Sequence, residues 1–132
     1  MIAIDASALV AILADEPERG GFLLNLGRAS SISLSPVGYW EAAVNMKRHR
    51  AESGVNDLDR LLALFDVRQP PITAVTSSIA FAAHIRFGRG TPAKLNLGDC
   101  FAYALAKELD APLLYKGDDF GRTDIQAAAV TA

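Results

Sequence analysis

The chain has 132 residues and a mass of 14.0 kDa, which is the size of one ordinary domain. Hydrophobic residues make up 51% of it and charged residues 21%, so an intrinsically disordered chain is excluded. The net charge of −2 provides no overall basic field, so any nucleic-acid partner must be held by a local group of cations.

Cysteine content and the first residues exclude two further classes. The single cysteine, Cys100, excludes an internal disulfide, and no spacing of Cys and His suits a structural zinc site. The apolar run 8–14 is far shorter than the roughly 18 residues of a membrane span. It also follows Asp5, where a signal peptide carries positive charge. We therefore expect a soluble, cytoplasmic protein with no membrane partner.

Short apolar runs alternate with helical patterns along the chain. We predict strands over residues 1–4, 31–34 and 113–115, with a short or irregular edge strand over 67–75. Helices are predicted over residues 7–13, 17–28, 36–50, 56–65, about 77–87 and 99–109. Strands that alternate with helices imply right-handed crossovers. We therefore expect an α/β fold, with a mainly parallel central sheet between helices on both faces, over one domain of residues 1–132.

Capping residues, prolines and glycines indicate where the predicted helices begin and end. The expected N-caps are Ser7, Ser35, Asn56 or Asp57, and Thr76 or Ser77. Pro17 and Pro36 suit the first position of a helix. Gly54 is expected to interrupt the helical pattern, and the glycine-rich residues 88–98 are expected to form a loop.

Acidic residues follow two of the predicted strands. Asp5 comes directly after the first strand, and Asp118 and Asp119 follow the last one. In open α/β sheets, the carboxyl edge of the strands is where ligands bind. Each position also has a plainer interpretation, because Asp is a favoured helix cap and Gly-Asp sequences are common in turns.

Two more acids lie on predicted helices. Glu41 shares a largely apolar stripe, and Asp99 opens the most apolar helix of the chain. A buried carboxylate is costly unless it is paired, protonated or bound to a cation. The alternatives are that Glu41 turns outward or pairs with Arg48, and that Asp99 is a first-turn acid favoured by the helix dipole.

Together these acids predict a divalent cation site. Parallel strands bring their carboxyl ends to one edge, and several carboxylates gathered there cannot all ionise without a compensating charge. Oxygen ligands suit Mg²⁺, or Mn²⁺ in its place. Such an ion positions a water and stabilises charge on phosphorus, and no nucleophile–histidine motif or phosphate loop competes. Phosphodiester hydrolysis is therefore the reaction class that fits best.

Four segments resemble one family along the whole chain. They are IDASALV around Asp5, YWEAAVN around Glu41, LNLGDCFAYALA around Asp99 and PLLYKGDDFGRTDI around Asp119. In order and spacing they resemble the PIN-domain ribonucleases, specifically the VapC toxins of type II toxin–antitoxin pairs. The resemblance implies a magnesium-dependent endoribonuclease that cuts structured RNA such as tRNA or ribosomal RNA. It also implies a VapB-type antitoxin partner and a toxin homodimer or toxin–antitoxin hetero-oligomer.

The resemblance also implies residue roles. Asp5 and Asp99 match the principal metal ligands of the family, Glu41 its third acid, and Asp119, in preference to Asp118, its fourth. Ser7 matches a small hydroxyl residue that supports the metal ligands. One departure concerns the loop before LNLGD, where related chains carry an Arg-His pair that is missing here from the shorter stretch 90–92.

Cations near the acids are the predicted RNA contacts. Arg89, Lys94, Lys116 and Arg122 lie on loops beside the acids and suit phosphate binding. Lys47, Arg48 and Arg50 are expected anyway at the end of a helix. For Tyr39 and Trp40, packing in the core is favoured over stacking on a base.

The antitoxin surface and the function each leave alternatives open. The apolar stripes of the helices at 17–28 and 56–65 suit either a groove for an antitoxin helix or burial in the core. A phosphatase or phosphoacceptor domain is a second enzyme interpretation, although Ser7 stands where an aspartyl phosphatase has a second Asp. A catalytically silent module that binds an antitoxin is the third, with its acids as relics.

Overall fold

The computed structural model describes residues 1–128, which form strands and helices in alternation. The strands are β1 (Ile2–Ile4), β2 (Ile32–Leu34) and β3 (Leu113–Leu114). The helices are α1 (Ala6–Leu13), α2 (Arg19–Arg28), α3 (Pro36–Leu64), α4 (Ala74–Phe87) and α5 (Leu97–Leu109), with a 3-10 turn at Phe120–Arg122. The last four residues of the expected domain, 129–132, lie outside the described residues.

The sheet is parallel, and its strands run in the order β2-β1-β3. Ile4 of β1 pairs in register with Leu34 on one side and Leu114 on the other, so the three strands end at one level. The expected edge strand over 67–75 is reduced to a bridge between Arg68 and Ser33, and Ala127 adds a bridge to β3 that sequence patterns did not predict. The carboxyl ends of the strands therefore form one edge, as the α/β prediction requires.

Helices cover both faces of the sheet, because side chains alternate along each strand. Ile2 and Ile4 pack into a core with α1, α2 and α3, whereas Ala3 lies in a second core with α4 and α5. Each fully buried leucine or isoleucine contributes about 1.5–3 kcal/mol to folding. The predicted three-layer α/β fold is confirmed. None of the helices within residues 1–128 is long and apolar enough to cross a bilayer.

Several helices begin at other residues than predicted. Asp5, not Ser7, caps α1, and Thr73, not Thr76 or Ser77, caps α4. In α4 the hydroxyl of Thr76 serves as the reciprocal partner of Thr73 in a capping box, which moves the start three residues earlier. The helix expected from Pro17 begins at Arg19, after Asp15 in a left-handed conformation. Capping hydrogen bonds therefore decide where α1 and α4 start, whereas α2 starts at Arg19 without a side-chain cap.

The break expected at Gly54 lies a few residues earlier. Helix α3 continues to Leu64 but bends sharply at Arg50 and Ala51, and Ala51 has φ 54°. Gly54 is buried inside the second half, where an added Cβ would lie 2.5 Å from the carbonyl oxygen of Met46. Asp57 is accordingly no cap but an interior residue that pairs with Arg50 at 3.4 Å. Glycine here allows the two halves of α3 to approach, instead of ending a helix.

The apolar stripes at 17–28 and 56–65 are buried at their centres. Phe22 and Leu26 of α2 and Leu58 and Leu62 of α3 lie in the same core. An open cleft of about 310 Å³ at the ends of these helices is lined by Leu26 and Phe65. Core burial is therefore correct for the central residues, and a groove for an antitoxin helix stays a prediction.

Candidate active site

Asp5 lies at the carboxyl end of β1 and is buried, with 5% of its surface exposed. Its backbone N–H donates to the carbonyl oxygen of Leu114 at 2.9 Å, and its Oδ2 accepts from the N–H of Ser7 at 3.0 Å. The cap interpretation is therefore right. Burial raises the pKa of Asp5, although the hydrogen bonds from Ser7 oppose this. The residue that caps α1 is thus also a carboxylate whose ionised form is destabilised by burial, at the edge of the sheet.

Asp99 occupies the third position of α5, not the first, because Asn96 caps that helix. The N–H of Asn96 donates to Oδ2 of Asp99 at 3.0 Å, and the N–H of Asp99 donates to Oδ1 of Asn96 at 2.8 Å. Burial raises the pKa of Asp99 to about 6, and the charges of Asp5 and Asp119 contribute, against the hydrogen bond from Asn96. The capping pair therefore fixes Asp99 among other acids.

Glu41 reaches α5 from α3 and fills the space beside a glycine. A Cβ added to Gly98 would overlap both carboxylate oxygens of Glu41. Burial raises the pKa of this half-buried glutamate to about 7, with further contributions from the charges of Asp5 and Asp99. Glu41 therefore faces the other acids rather than solvent or Arg48. Sequence reasoning missed Gly98, although a glycine directly before the acid of LNLGD was the available signal.

The fourth acid follows β3. Asp118 and Asp119 are both exposed, just before a 3-10 turn that is anchored by the buried Phe120. The charge of Asp119 raises the pKa of Asp99, whereas Asp118 is not among the causes of that shift. This electrostatic contact favours Asp119, as the resemblance implies.

The donor set suits a hard divalent cation. The acids Asp5, Glu41, Asp99 and Asp119 repel one another, and none of them has an ion-pair partner among residues 1–128. Only oxygen donors are present, which is the chemistry that Mg²⁺ prefers. Within the same residues, no three Asp, Glu, His or Cys side chains close into a formed metal site. In this part of the chain the acids therefore share an edge of the sheet but do not form a closed cage.

Ser7 links two parts of this edge. Its Oγ accepts a hydrogen bond from the N–H of Lys116 at 3.0 Å, while its own N–H holds Asp5. Lys116 in turn places its ammonium 2.7 Å from Oε2 of Glu16 and 3.5 Å from Glu18. These contacts tie the segment that carries Asp119 to the connection between α1 and α2.

The four predicted RNA-binding cations fall into two groups. Lys116 is paired with two glutamates, and Arg122 donates to the carbonyl oxygen of Pro92 at 3.4 Å. Arg89 and Lys94 are exposed and have no ion-pair partner among residues 1–128. The two loop cations before α5 are therefore the ones available to an anionic ligand.

The aromatic pair before Glu41 divides between core and solvent. Tyr39 packs against the core, and its hydroxyl donates to Oδ1 of Asp59 at 2.8 Å. Trp40 is 64% exposed, so the prediction that it packs in the core is wrong. Consecutive helical residues point about 100° apart, and only one of the two faces the core.

The family model of the PIN domain matches residues 2–126. This match covers nearly the whole chain, including all four acids and the elements that carry them. The chain therefore belongs to the PIN-domain family.

Two curated relatives from Mycobacterium tuberculosis narrow the assignment. Ribonuclease VapC28 is 39% identical over 127 residues, covering 95% of this chain and 96% of the relative. Ribonuclease VapC30 is also 39% identical, over 128 residues, covering 96% of this chain and 98% of the relative. The chain is thus a VapC-type ribonuclease, the toxin class of VapBC toxin–antitoxin systems.

Solved structures share the fold at low sequence identity. VapC20 of Mycobacterium tuberculosis, described as a toxin that cleaves the sarcin-ricin loop, has a TM-score of 0.78 and 15% identity, covering 95% of this chain and 96% of that one. VapBC2 of Rickettsia felis, bound to a DNA fragment from its promoter, has a TM-score of 0.77 and 16% identity, covering 96% of both chains. These likenesses support the three-layer architecture.

Proposed function

We propose that this toxin is a Mg²⁺-dependent endoribonuclease, with Mn²⁺ able to substitute, that cuts structured RNA such as tRNA or ribosomal RNA. One observation carries the proposal. Asp5, Glu41, Asp99 and Asp119 come from four separate segments, and their charges act on one another at the carboxyl edge of the sheet. A fold that gathers uncompensated carboxylates in this way supports a cationic ligand.

Asp5 and Asp99 would hold the metal, with Glu41 and Asp119 completing the set. When bound, Mg²⁺ supplies an activated water and neutralises charge that develops on the phosphate. The chain's own residues do the positioning. The N–H groups of Ser7 and Asn96 orient the carboxylates of Asp5 and Asp99, and Gly98 leaves room for Glu41.

RNA phosphates would be held by cations beside this edge. Arg89 and Lys94 are exposed on the loop before α5, and Arg122 lies on the segment after Asp119. Such contacts give salt-sensitive affinity with little sequence preference. Lys116 belongs to the sequence-predicted set, but its ammonium is already held by Glu16 and Glu18. We assign it a positioning role for the Asp119 segment.

A VapB-type antitoxin is the proposed protein partner. The Rickettsia felis structure is a VapBC assembly, and a further fold relative with a TM-score of 0.71 and 18% identity is a toxin–antitoxin complex from Klebsiella pneumoniae. Assembly into a toxin homodimer or a toxin–antitoxin hetero-oligomer belongs to the same proposal.

The test is RNA cleavage by purified, antitoxin-free protein with and without Mg²⁺, alongside Asp5→Asn and Asp99→Asn. We expect cleavage only with the metal and only by the unmodified protein. The adjacent acids provide a matched pair, because Asp119→Asn should lose activity and Asp118→Asn should keep it. Equal cleavage by all variants would reject the assigned roles.

A further inference from the structure

Two large apolar side chains stand exposed beside the acids. Trp40 is 64% exposed and Leu97 is 68% exposed. Trp40 directly precedes Glu41, and Leu97 directly precedes Gly98, the two residues that touch where α3 meets α5. Aromatic side chains are enriched at binding surfaces, so an exposed tryptophan next to the acids is a candidate ligand contact.

The two side chains extend a common surface. A cleft of about 190 Å³ lies where the start of α3 and the segment 70–76 meet α5, and its lining includes Pro36 from α3 and Phe101 from α5. Residues four apart share one face of a helix. Trp40 lies four residues after Pro36, and Leu97 lies four residues before Phe101. Both therefore continue the faces that line this cleft, at the level where Glu41 meets Gly98. We call this pair the Trp40–Leu97 surface.

The surroundings of this surface define the ligand. Glu41 follows Trp40 directly, Asp99 lies two residues after Leu97, and the loop that leads into Leu97 carries Lys94, a cation with no ion-pair partner among residues 1–128. A ligand that contacts the Trp40–Leu97 surface, the acids and Lys94 needs a flat apolar face close to an anionic group. A nucleotide has this combination in its base and phosphate.

A second exposed apolar surface provides the contrast. On α4, Val75, Phe81 and Ile85 are each more than 60% exposed. None of these three directly precedes one of the four acids of the site, and the arginine of the same helix, Arg86, is paired with Asp124. The Trp40–Leu97 surface differs because an indole ring, carboxylates and a free cation occur together.

We propose that Trp40 stacks on an unpaired RNA base next to the phosphodiester that the acids address, and that Leu97 packs against the same nucleotide. This inference rests on the proposed ribonuclease function and assigns a residue that positions its substrate. A base that stacks on a protein side chain must leave its own helix. Because every base has a π face, Trp40 fixes where the RNA lies rather than which base is read.

The single tryptophan of the chain makes the contact directly measurable. A single-stranded RNA hexanucleotide, added without divalent cation to the antitoxin-free protein, should quench the fluorescence of Trp40 in a saturable manner. Inorganic polyphosphate of the same charge carries no bases and should leave the emission unchanged. Quenching by both probes to the same extent would overturn the proposal, because charge alone would then account for it.

Steady-state cleavage of the same RNA with Mg²⁺ provides the second measurement. Trp40→Ala should raise KM about ten- to a hundred-fold, with little change in kcat, since stacking of one base on an aromatic side chain is lost. Trp40→Phe should recover most of this affinity. Phe81→Ala is the matched control, because Phe81 is 65% exposed on α4 and should leave KM unchanged.

The outcomes separate this inference from the function on which it rests. If the protein cleaves RNA but Trp40→Ala has the KM of the unmodified protein, stacking is rejected and the nuclease remains. If RNA quenches Trp40 but Mg²⁺ brings no cleavage, stacking stands and the nuclease is rejected. If Trp40→Ala turns an oligomer into a monomer while KM stays the same, the surface is a protein contact and the inference is wrong.

Discussion

Asp99 and Asp124 are acids with opposite environments. At Asp99, burial and neighbouring acids raise the pKa to about 6. At Asp124, burial also raises the pKa, but hydrogen bonds from Tyr103 at 2.7 Å and Lys107 at 3.0 Å outweigh it and hold the pKa below its usual value. Arg86 lies 3.6 Å from the same carboxylate. Asp124 therefore joins α4 and α5 to the C-terminal segment. Ionisation of Asp99, by contrast, is opposed by its surroundings.

The opposite pKa shifts distinguish acids that stabilise the fold from acids that lack a counter-charge. A carboxylate with its own cations favours folding, while carboxylates that face each other oppose it until a cation arrives. Substitutions in the two regions should consequently act on different properties, activity in one and stability in the other.

The largest effect is expected from direct substitution in each region. Asp99→Asn should lower RNA cleavage at least about a hundred-fold, because a proposed metal ligand is lost. Asp124→Asn should leave the cleavage rate unchanged and lower the free energy of unfolding by about 1 kcal/mol, since its ion pairs are partly exposed. Cleavage assays and urea unfolding measure the two properties. A loss of activity in Asp124→Asn with an intact fold would remove the distinction.

The second-largest effect is expected from Gly98→Ala. The new methyl group would overlap the carboxylate of Glu41 and force that side chain away from Asp99. A displacement of about 1 Å is enough to lower kcat about a hundred-fold. Gly27→Ala, at a helical glycine with open space around it, is the matched control and should leave kcat unchanged. Full activity of Gly98→Ala would show that the position of Glu41 is unimportant.

The third prediction concerns pH. The pKa of Glu41 rises from 4.5 to about 7 on folding, so the folded state binds this proton more tightly than the unfolded chain does. Metal-free protein should therefore lose stability as the pH rises from about 4.5 to 7. Glu41→Gln cannot ionise and should be more stable than the unmodified protein by about 1–2 kcal/mol at pH 8, a value reduced for the partial exposure of the group.

Urea unfolding in EDTA at pH 5 and pH 8 measures this effect. The two proteins should differ at pH 8 and converge at pH 5. Parallel pH profiles would mean that Glu41 does not carry the uncompensated charge.

The smallest effect is expected at Lys116. Lys116→Met removes the ammonium that joins Glu16 and Glu18 and keeps the length of the side chain. The free energy of unfolding should fall only slightly, because the ion pairs are partly exposed to solvent. RNA binding should keep its salt dependence, because the lysine is already neutralised by protein acids. A weaker salt dependence would instead make Lys116 a phosphate contact.

The periodicity of hydrophobic residues and the composition were enough to predict the parallel sheet, both flanking layers of helices and the position of Asp5 at the end of β1. The predicted helix boundaries were wrong where hydrogen bonds between side chain and backbone decide the start of the helix, as at Thr73 and Asn96. The bend at Ala51 and the burial of Gly54 depend on contacts with Met46 and Arg50 across the bend, which helical periodicity does not register. The exposure of Trp40 depends in the same way on which face of α3 meets the core.

Distant segments of the chain meet at the site, since the hydroxyl of Ser7 accepts a hydrogen bond from the N–H of Lys116, 109 residues further on. Contacts between residues so far apart in sequence carry a high loop-closure entropy, whereas helices form from local contacts. We therefore expect this edge of the sheet to be assembled late in folding, after the helices that surround it.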